Sequence, residues 1–174
     1  ENLPAIFSKL WSLGAPLLQY KVCSTFDSSP ESGSIGCAIE IGLAQTQTQW
    51  APVVVGVPQL RRYQIFGHLF ATVGQQTHRL DRHPTMSRHP VTPMAEADLL
   101  VHLGYQTELP MTLVDWLSIG RDDFLVDWEA RDQVNEAGAV FLDVMDELTQ
   151  SRVGEALWAS ATRQRRFVVG SSGV

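Results

Sequence analysis

Lysine is nearly absent. Lys9 and Lys21 are the only two in 174 residues, and Lys plus Arg number 13 against 19 Asp plus Glu, a net charge of −6. Such a chain lacks the basic face that exchanges for counterions on a phosphate backbone or an anionic membrane, so neither nucleic acid nor a membrane surface is an expected partner. The one basic knot, Arg163, Arg165 and Arg166, reads as a solvated helix end. Cysteine is as sparse: Cys23 and Cys37 have no CxxC spacing and no matching Cys/His set, which excludes a disulfide framework and a zinc site and sets a reducing, cytoplasmic location as the expectation. No apolar run reaches the ~18 residues of a membrane span, and the N-terminus carries no signal-peptide pattern. Also missing are GxGxxG, GxxxxGK followed by Ser or Thr, and GxSxG, so nucleotide binding by this chain alone is not expected. It starts with Glu1 rather than Met and stops just after the strand-like RRFVVG, as a piece of a longer protein would.

What is present is a globular composition, 44% hydrophobic and 18% charged. One domain of this size hides roughly 70% of the surface its unfolded chain exposes. Apolar spacing predicts an amphipathic helix over residues 3 to 13, with Leu3, Ile6, Phe7, Leu10 and Trp11 on one face. A buried strand follows over 17 to 23, then a helix from Ile35 to about Gln47 capped by Ser34, then the buried run APVVVGVP. YQIFGHLFATV reads as one extended segment, and residues 74 to 93 as too irregular for any element. Thr92 and Pro93 predict a helix start. Further strands are expected at MTLVDW, AVFLDV and RFVVG, with helices over 124 to 136 and 147 to 161. Strands alternating with helices specify an α/β fold, a mainly parallel sheet with helices on both faces.

In an open parallel sheet ligands bind beyond the carboxyl ends of the strands, which directs attention to KVCSTFDSSPESGSIG. Lys21, Ser24, Thr25, Asp27 and Ser28 there precede a helix N-terminus. Together they suit a polyhydroxylated anion, its carboxylate facing Lys21 and the helix end while Asp27 accepts from hydroxyls. An ordinary capping loop has the same residue types. A second candidate spans His68 to Met94, with His68, His78, His83 and His89 beside Arg79, Arg82 and Arg88. The histidine spacings match no common metal-ligand set, and anion contact by Arg88 and His89 is the better functional reading. Asp122, Asp123 and Asp127 sit where carboxylates favour a helix start. The five tryptophans read as core, and GSSG is a weak phosphate-turn signal because no Lys or helix follows it. Hydrolysis with Cys23 as nucleophile lacks a base at fixed spacing.

YKVCSTFDSSPESGSIG, GHLF at 67 to 70, RHPVTPM at 88 to 94 with EADL and QT at Gln106, and the terminal FVVGSSGV resemble, in that order, the sugar-binding N-terminal domain of the four-carbon acid sugar kinases. KVCSTFDSSP resembles the 3-oxo-tetronate kinase branch, since other branches carry a KxDSTLRG-like sequence there. The resemblance implies that residues 1–174 are most of the substrate domain of a two-domain kinase, one that phosphorylates the terminal hydroxyl of a four-carbon sugar acid, 3-oxo-tetronate. ATP and Mg²⁺ would be bound mainly by a C-terminal domain of the same protein. The implied pocket comprises Lys21, Ser24, Thr25, Asp27 and Ser28, then Arg88, His89 and Thr92. Asp27 is the implied catalytic residue, orienting or deprotonating the hydroxyl unless an Asp pair preceding Glu1 does so. The family's DDFTGA-like motif is absent, and Cys37 stands where it usually has Arg. A non-catalytic sugar-acid-binding or scaffold domain is the alternative, and homo-oligomer formation is left open.

Overall fold

The computed structural model describes residues 2–132 and 137–174. Helix α1 (Leu3–Ser12) leads into β1 (Leu17–Lys21), α2 (Ile35–Thr46) and β2 (Trp50–Val54). Three antiparallel strands follow: β3 (Arg62–Ile65), β4 (His68–Val73) and β5 (Gln76–Arg79). The chain continues through α3 (Leu99–Gly104), β6 (Met111–Val114), α4 (Trp116–Gly120), α5 (Phe124–Asp132), β7 (Gly138–Leu142), α6 (Glu147–Arg163) and β8 (Arg166–Gly170). Among the described residues five strands form a parallel sheet in the order β1-β8-β2-β7-β6.

Both faces of that sheet are covered, so its inner strands read as unbroken apolar runs. Phe167 and Val169 of β8 point to one side and pack with Phe7, Ile39 and Leu43 of α1 and α2; the same core takes in Leu69, Leu99 and Leu103. Val168 points to the other side, with Ile119, Phe124, Trp128, Val153 and Leu157 of α4, α5 and α6. Gly42 is required where α2 crosses β8, because a Cβ there would lie 2.1 Å from the Phe167 ring. On α1 only Phe7 is fully buried, edge-on to Tyr20 and Phe167, while Ile6 and Leu10 are exposed.

Several expected elements differ. YQIFGHLFATV is a hairpin, not one extended segment: Phe66 and Gly67, at φ 49° and 75°, form a two-residue turn between Ile65 and His68, the left-handed pair that matches strand twist. Residues 76 to 79, expected to be irregular, pair with β4 as a polar edge strand. Helix α3 starts not at Thr92 but at Asp98, whose carboxylate accepts from Leu100 N and Val101 N. MTLVDW divides at Asp115, which caps α4 through Ser118 N at 2.8 Å. Helix α5 is described to Asp132, and the rest of the expected helix, 133 to 136, lies outside the described residues. No described helix is long and apolar enough to cross a membrane.

Candidate functional site

Beyond β1 the chain turns through residues 22–34 before entering α2. Val22 N extends the ladder to Gly170 O at 2.9 Å, and Phe26 N closes a turn onto Cys23 O at 3.0 Å. Phe26 then takes a left-handed φ of 52°, a conformation that costs a residue with a Cβ about 1–2 kcal/mol. Its fully buried ring offsets that cost by packing at 6.1 Å against both His102 and Phe141. The residue acts as a peg that fixes the loop to the core.

On either side of the peg, Cys23, Thr25 and Asp27 line up at every second position. Thr25 Oγ1 donates to Asp27 Oδ1 at 2.5 Å and lies 2.9 Å from Cys23 Sγ. With the Thr25 proton committed to the carboxylate, the thiol is the donor to Thr25. Asp27 is half-buried, and its Oδ2 accepts no hydrogen bond from any described residue, so one carboxylate oxygen is held and the other is available. Lys21 is exposed, and its ammonium makes no hydrogen bond or ion pair with a described residue. Ser24 is half-buried.

Ser28 has a different environment. Only 1% exposed, its hydroxyl lies 3.0 Å from Phe26 O, 2.9 Å from Gln106 Nε2 and 3.1 Å from His102 Nε2. It holds the loop to α3 and the residues following it. Gln106 Oε1 in turn accepts from Ile35 N at 2.9 Å and Gly36 N at 3.3 Å, the first donors of α2, while Ser34 Oγ accepts from Cys37 N at 3.1 Å. The expectation that this helix end faces a substrate carboxylate is therefore corrected: its free N–H groups are already engaged by side chains of the chain itself. Gly36 is needed for that approach, since a Cβ there would stand 2.8 Å from Gln106.

A family model described as the sugar-binding N-terminal domain matches residues 1–174. The chain belongs to that family. Relatives of this sugar-binding domain include a 3-oxo-isoapionate kinase of Paraburkholderia graminis, 49% identical over 174 residues, which are 100% of this chain and 37% of that protein. A 3-oxo-tetronate kinase of Methylobacterium radiotolerans is 32% identical over 162 residues, 92% of this chain and 36% of that protein. A solved Haemophilus influenzae protein of the DUF1537 family superposes with a TM-score of 0.71 at 25% identity, covering 94% of this chain and 37% of that one. The chain thus spans little more than a third of the length of these proteins.

The second expected segment of the sugar-binding domain is organised separately. His89 Nδ1 accepts from Thr92 N at 3.1 Å and Thr92 Oγ1 at 2.9 Å, so its proton sits on Nε2. Thr92 is buried, and its part is to orient His89. Arg88 is exposed, and its guanidinium makes no hydrogen bond or ion pair with a described residue. No hydrogen bond or ion pair among the described residues joins Arg88, His89 or Thr92 to the 21–28 loop. His83 Nδ1 accepts from Thr85 N and Met86 N at 3.2 Å, and burial, then Arg62 and His78, lower its pKa. Among the described residues no three His, Cys, Asp or Glu side chains are grouped to hold a metal ion. Ser171 of the terminal GSSG is buried and donates to Val55 O at 2.8 Å.

Three residues at this end of the sheet escape sequence reasoning. Asp143, just past β7, is fully buried and accepts from Phe66 N at 2.5 Å, Gly67 N at 3.0 Å and Trp116 N at 3.2 Å. Burial raises its pKa above the ordinary carboxyl value, against the N–H groups of Gly67, Phe66 and Trp116, which lower it. The buried Gln64 amide is near enough to favour the charge but makes no hydrogen bond of acceptable geometry. His102 and Gln106 are the other two. Both lie more than 70 residues from the loop they hold, and only the QT motif at Gln106 pointed there.

Proposed function

We propose that this chain is the substrate domain of an ATP-dependent kinase that phosphorylates a hydroxyl of a small 3-oxo sugar acid. The observation carrying the reading is the 49% identity, over the whole chain, to a protein named for kinase action on such an acid. The loop geometry is compatible with it. Asp27 Oδ2 accepts the proton of a substrate hydroxyl and orients it, while Thr25 holds the other oxygen and so fixes the carboxylate plane. Lys21 pairs with the substrate carboxylate, Ser24 adds a hydroxyl, and Arg88 and the Nε2–H of His89 offer a second anion contact. Ser28 and Thr92 support these groups from behind. Phosphoryl transfer asks for alignment and charge neutralisation more than covalent help, and an aligned carboxylate suits that demand.

ATP and Mg²⁺ do not fit the residues of this chain. The N-termini of α2, α3, α4 and α6 are capped by the chain's own side chains, and no donor set for a metal is grouped among the described residues. On this reading their site lies in the part of the relatives' length that this chain does not span. The finer substrate assignment favours 3-oxo-isoapionate over 3-oxo-tetronate, since relatives named for the latter are 30–33% identical. Steady-state kinetics of the intact protein with ATP test both levels. A 3-oxo acid is expected to exceed its analogue lacking the oxo group by about tenfold or more in kcat/KM, ~1.4 kcal/mol of discrimination. Equal efficiency on the two would remove the substrate reading, and no ATP consumption with any sugar acid would remove the kinase.

A further inference from the structure

We propose that Gln106 and His102 are the positioning residues of the sugar-acid loop, and that the loop is assembled only while His102 is neutral with its proton on Nδ1. The argument starts at α2. Ile35 N and Gly36 N are donors, so the atom facing them at 2.9 and 3.3 Å must be the oxygen of the Gln106 amide. The two protons on Nε2 then point the other way, to Ser28 Oγ at 2.9 Å and His102 Nε2 at 3.2 Å. The second of these protons is satisfied when His102 Nε2 accepts it, which leaves the imidazole proton on Nδ1. One side-chain amide thereby joins three segments: the loop through Ser28, α3 through His102, and the first turn of α2.

Protonating His102 breaks this pattern. An N–H on Nε2 would face the NH₂ of Gln106 at 3.2 Å, with Ser28 Oγ at 3.1 Å as its one acceptor. Flipping that amide would turn its NH₂ on the N–H groups of Ile35 and Gly36. Neither orientation satisfies all partners: either the α2 cap is lost, or Ser28 Oγ is left as the one acceptor for both Nε2 groups and the Gln106–His102 contact that holds the loop against α3 turns repulsive, beside Asp27. The groups acting on the imidazole agree with a neutral ring. His102 is 7% exposed, and burial lowers its pKa, against the carboxylates of Glu96 and Asp27 and a backbone contact with Ser28, which raise it. The ring of Phe26 packs edge-on to it.

The functional half of this inference rests on the loop being the sugar-acid site. The structural half does not, and the two are tested apart. In intact protein labelled with ¹⁵N-histidine, the nitrogen shifts of His102 should report an Nδ1–H tautomer at pH 7.5 and a titration midpoint below the ordinary value of about 6.5. Gln106→Glu keeps an acceptor for the α2 donors but presents a carboxylate oxygen to His102, so the midpoint should rise by at least about one pH unit. In kinetics, KM for the 3-oxo acid should rise about fivefold or more as pH falls through the wild-type midpoint, with kcat changing less. His102→Leu should raise KM about tenfold at pH 7.5, and His102→Gln, which sets a permanent acceptor near the Nε2 position, should restore most of that loss and flatten the pH profile. An Nε2–H tautomer, a wild-type midpoint at or above 6.5, or an unmoved midpoint in Gln106→Glu would overturn the assignment. Equal KM values for the Leu and Gln variants would overturn the acceptor role. Absence of turnover on every 3-oxo acid would refute the kinase reading and leave the nitrogen shifts to decide the rest.

Discussion

Removing the Asp143 side chain should cost more than neutralising it. Three backbone N–H groups converge on the carboxylate, from Phe66, Gly67 and Trp116. In Asp143→Ala the buried Gly67 N–H loses its partner outright, at about 1–3 kcal/mol, while the part-buried pair at Phe66 and Trp116 find water and lose about 0.5–1 each. The turn at Phe66 and Gly67 is also released from its anchor. A total near 3 kcal/mol corresponds to a Tm lower by roughly 6–12 °C for a domain of this size. Asp143→Asn keeps the shape and removes a charge that burial disfavours, but its NH₂ must face either Gly67 N–H or the N–H groups of Phe66 and Trp116, so it should still cost about 1–2 kcal/mol. The pH dependence has a definite sign. Because the folded-state pKa of Asp143 is raised, the native state binds a proton more tightly than the unfolded chain, and this group's contribution to stability grows as pH falls through the folded pKa toward the unfolded one. Asp143→Asn should lack that component. Thermal and urea denaturation of the intact protein between pH 4 and 8 would measure both effects. Equal losses for the Ala and Asn variants, or a component of the opposite slope, would refute the reasoning.

Asp27→Ala in the intact protein is expected to lower kcat/KM by about a hundredfold or more while Tm moves only a few degrees, as for a general base or orienting group; a parallel loss of Tm and activity would make the loop an ordinary cap. Gly42→Ala forces a Cβ into the Phe167 ring and should cost about 1–3 kcal/mol, read by urea denaturation, whereas a neutral outcome would mean that α2 shifts freely over the sheet. Ser34→Ala removes one of the side-chain acceptors at the start of α2 and should cost about 1 kcal/mol. Cys37→Ala should leave turnover unchanged, and loss of turnover in that variant would give the exposed position at the start of α2 a part in the site.

The parts of the fold legible in the sequence are those whose causes are local. Residues 166 to 170 read as a buried strand because both faces of β8 meet core, and Ser34 sits three residues before the N–H it caps. The 21–28 loop could be singled out as the candidate site because its position beyond a parallel strand and its ordered motif agree. What escaped depends on partners distant in sequence. A Phe-Gly turn lacks the Asn or Asp that advertises such a hairpin, and Asp143, 76 residues away, is what holds it. Thr92 looks like a helix cap until His89 takes its hydroxyl, and Asp98 becomes the cap instead. The end of α2 looked open to a substrate because nothing near it in sequence shows that Gln106 occupies it. Strand β5 carries no alternation because it lies on an exposed polar edge.

The place of β8 governs the order in which this domain can form. Its residues are almost the last of the chain, yet it lies between β1 and β2, pairing Leu17 with Arg166 on one flank and Val53 with Val169 on the other. Until it arrives, β1 has no strand beside it among the described residues and the edge of β2 is unpaired. During synthesis at roughly 5–20 residues per second, the nascent chain must keep two parallel edges apart for several seconds before the strand that joins them emerges. Pairings that span nearly the whole chain carry a large loop-closure cost and form slowly. Cutting the chain before Arg166 would leave β1 with α1 and α2 cut off from the β2-β7-β6 ladder, and the 21–28 loop would be tethered to a strand with nothing to pair against among the described residues.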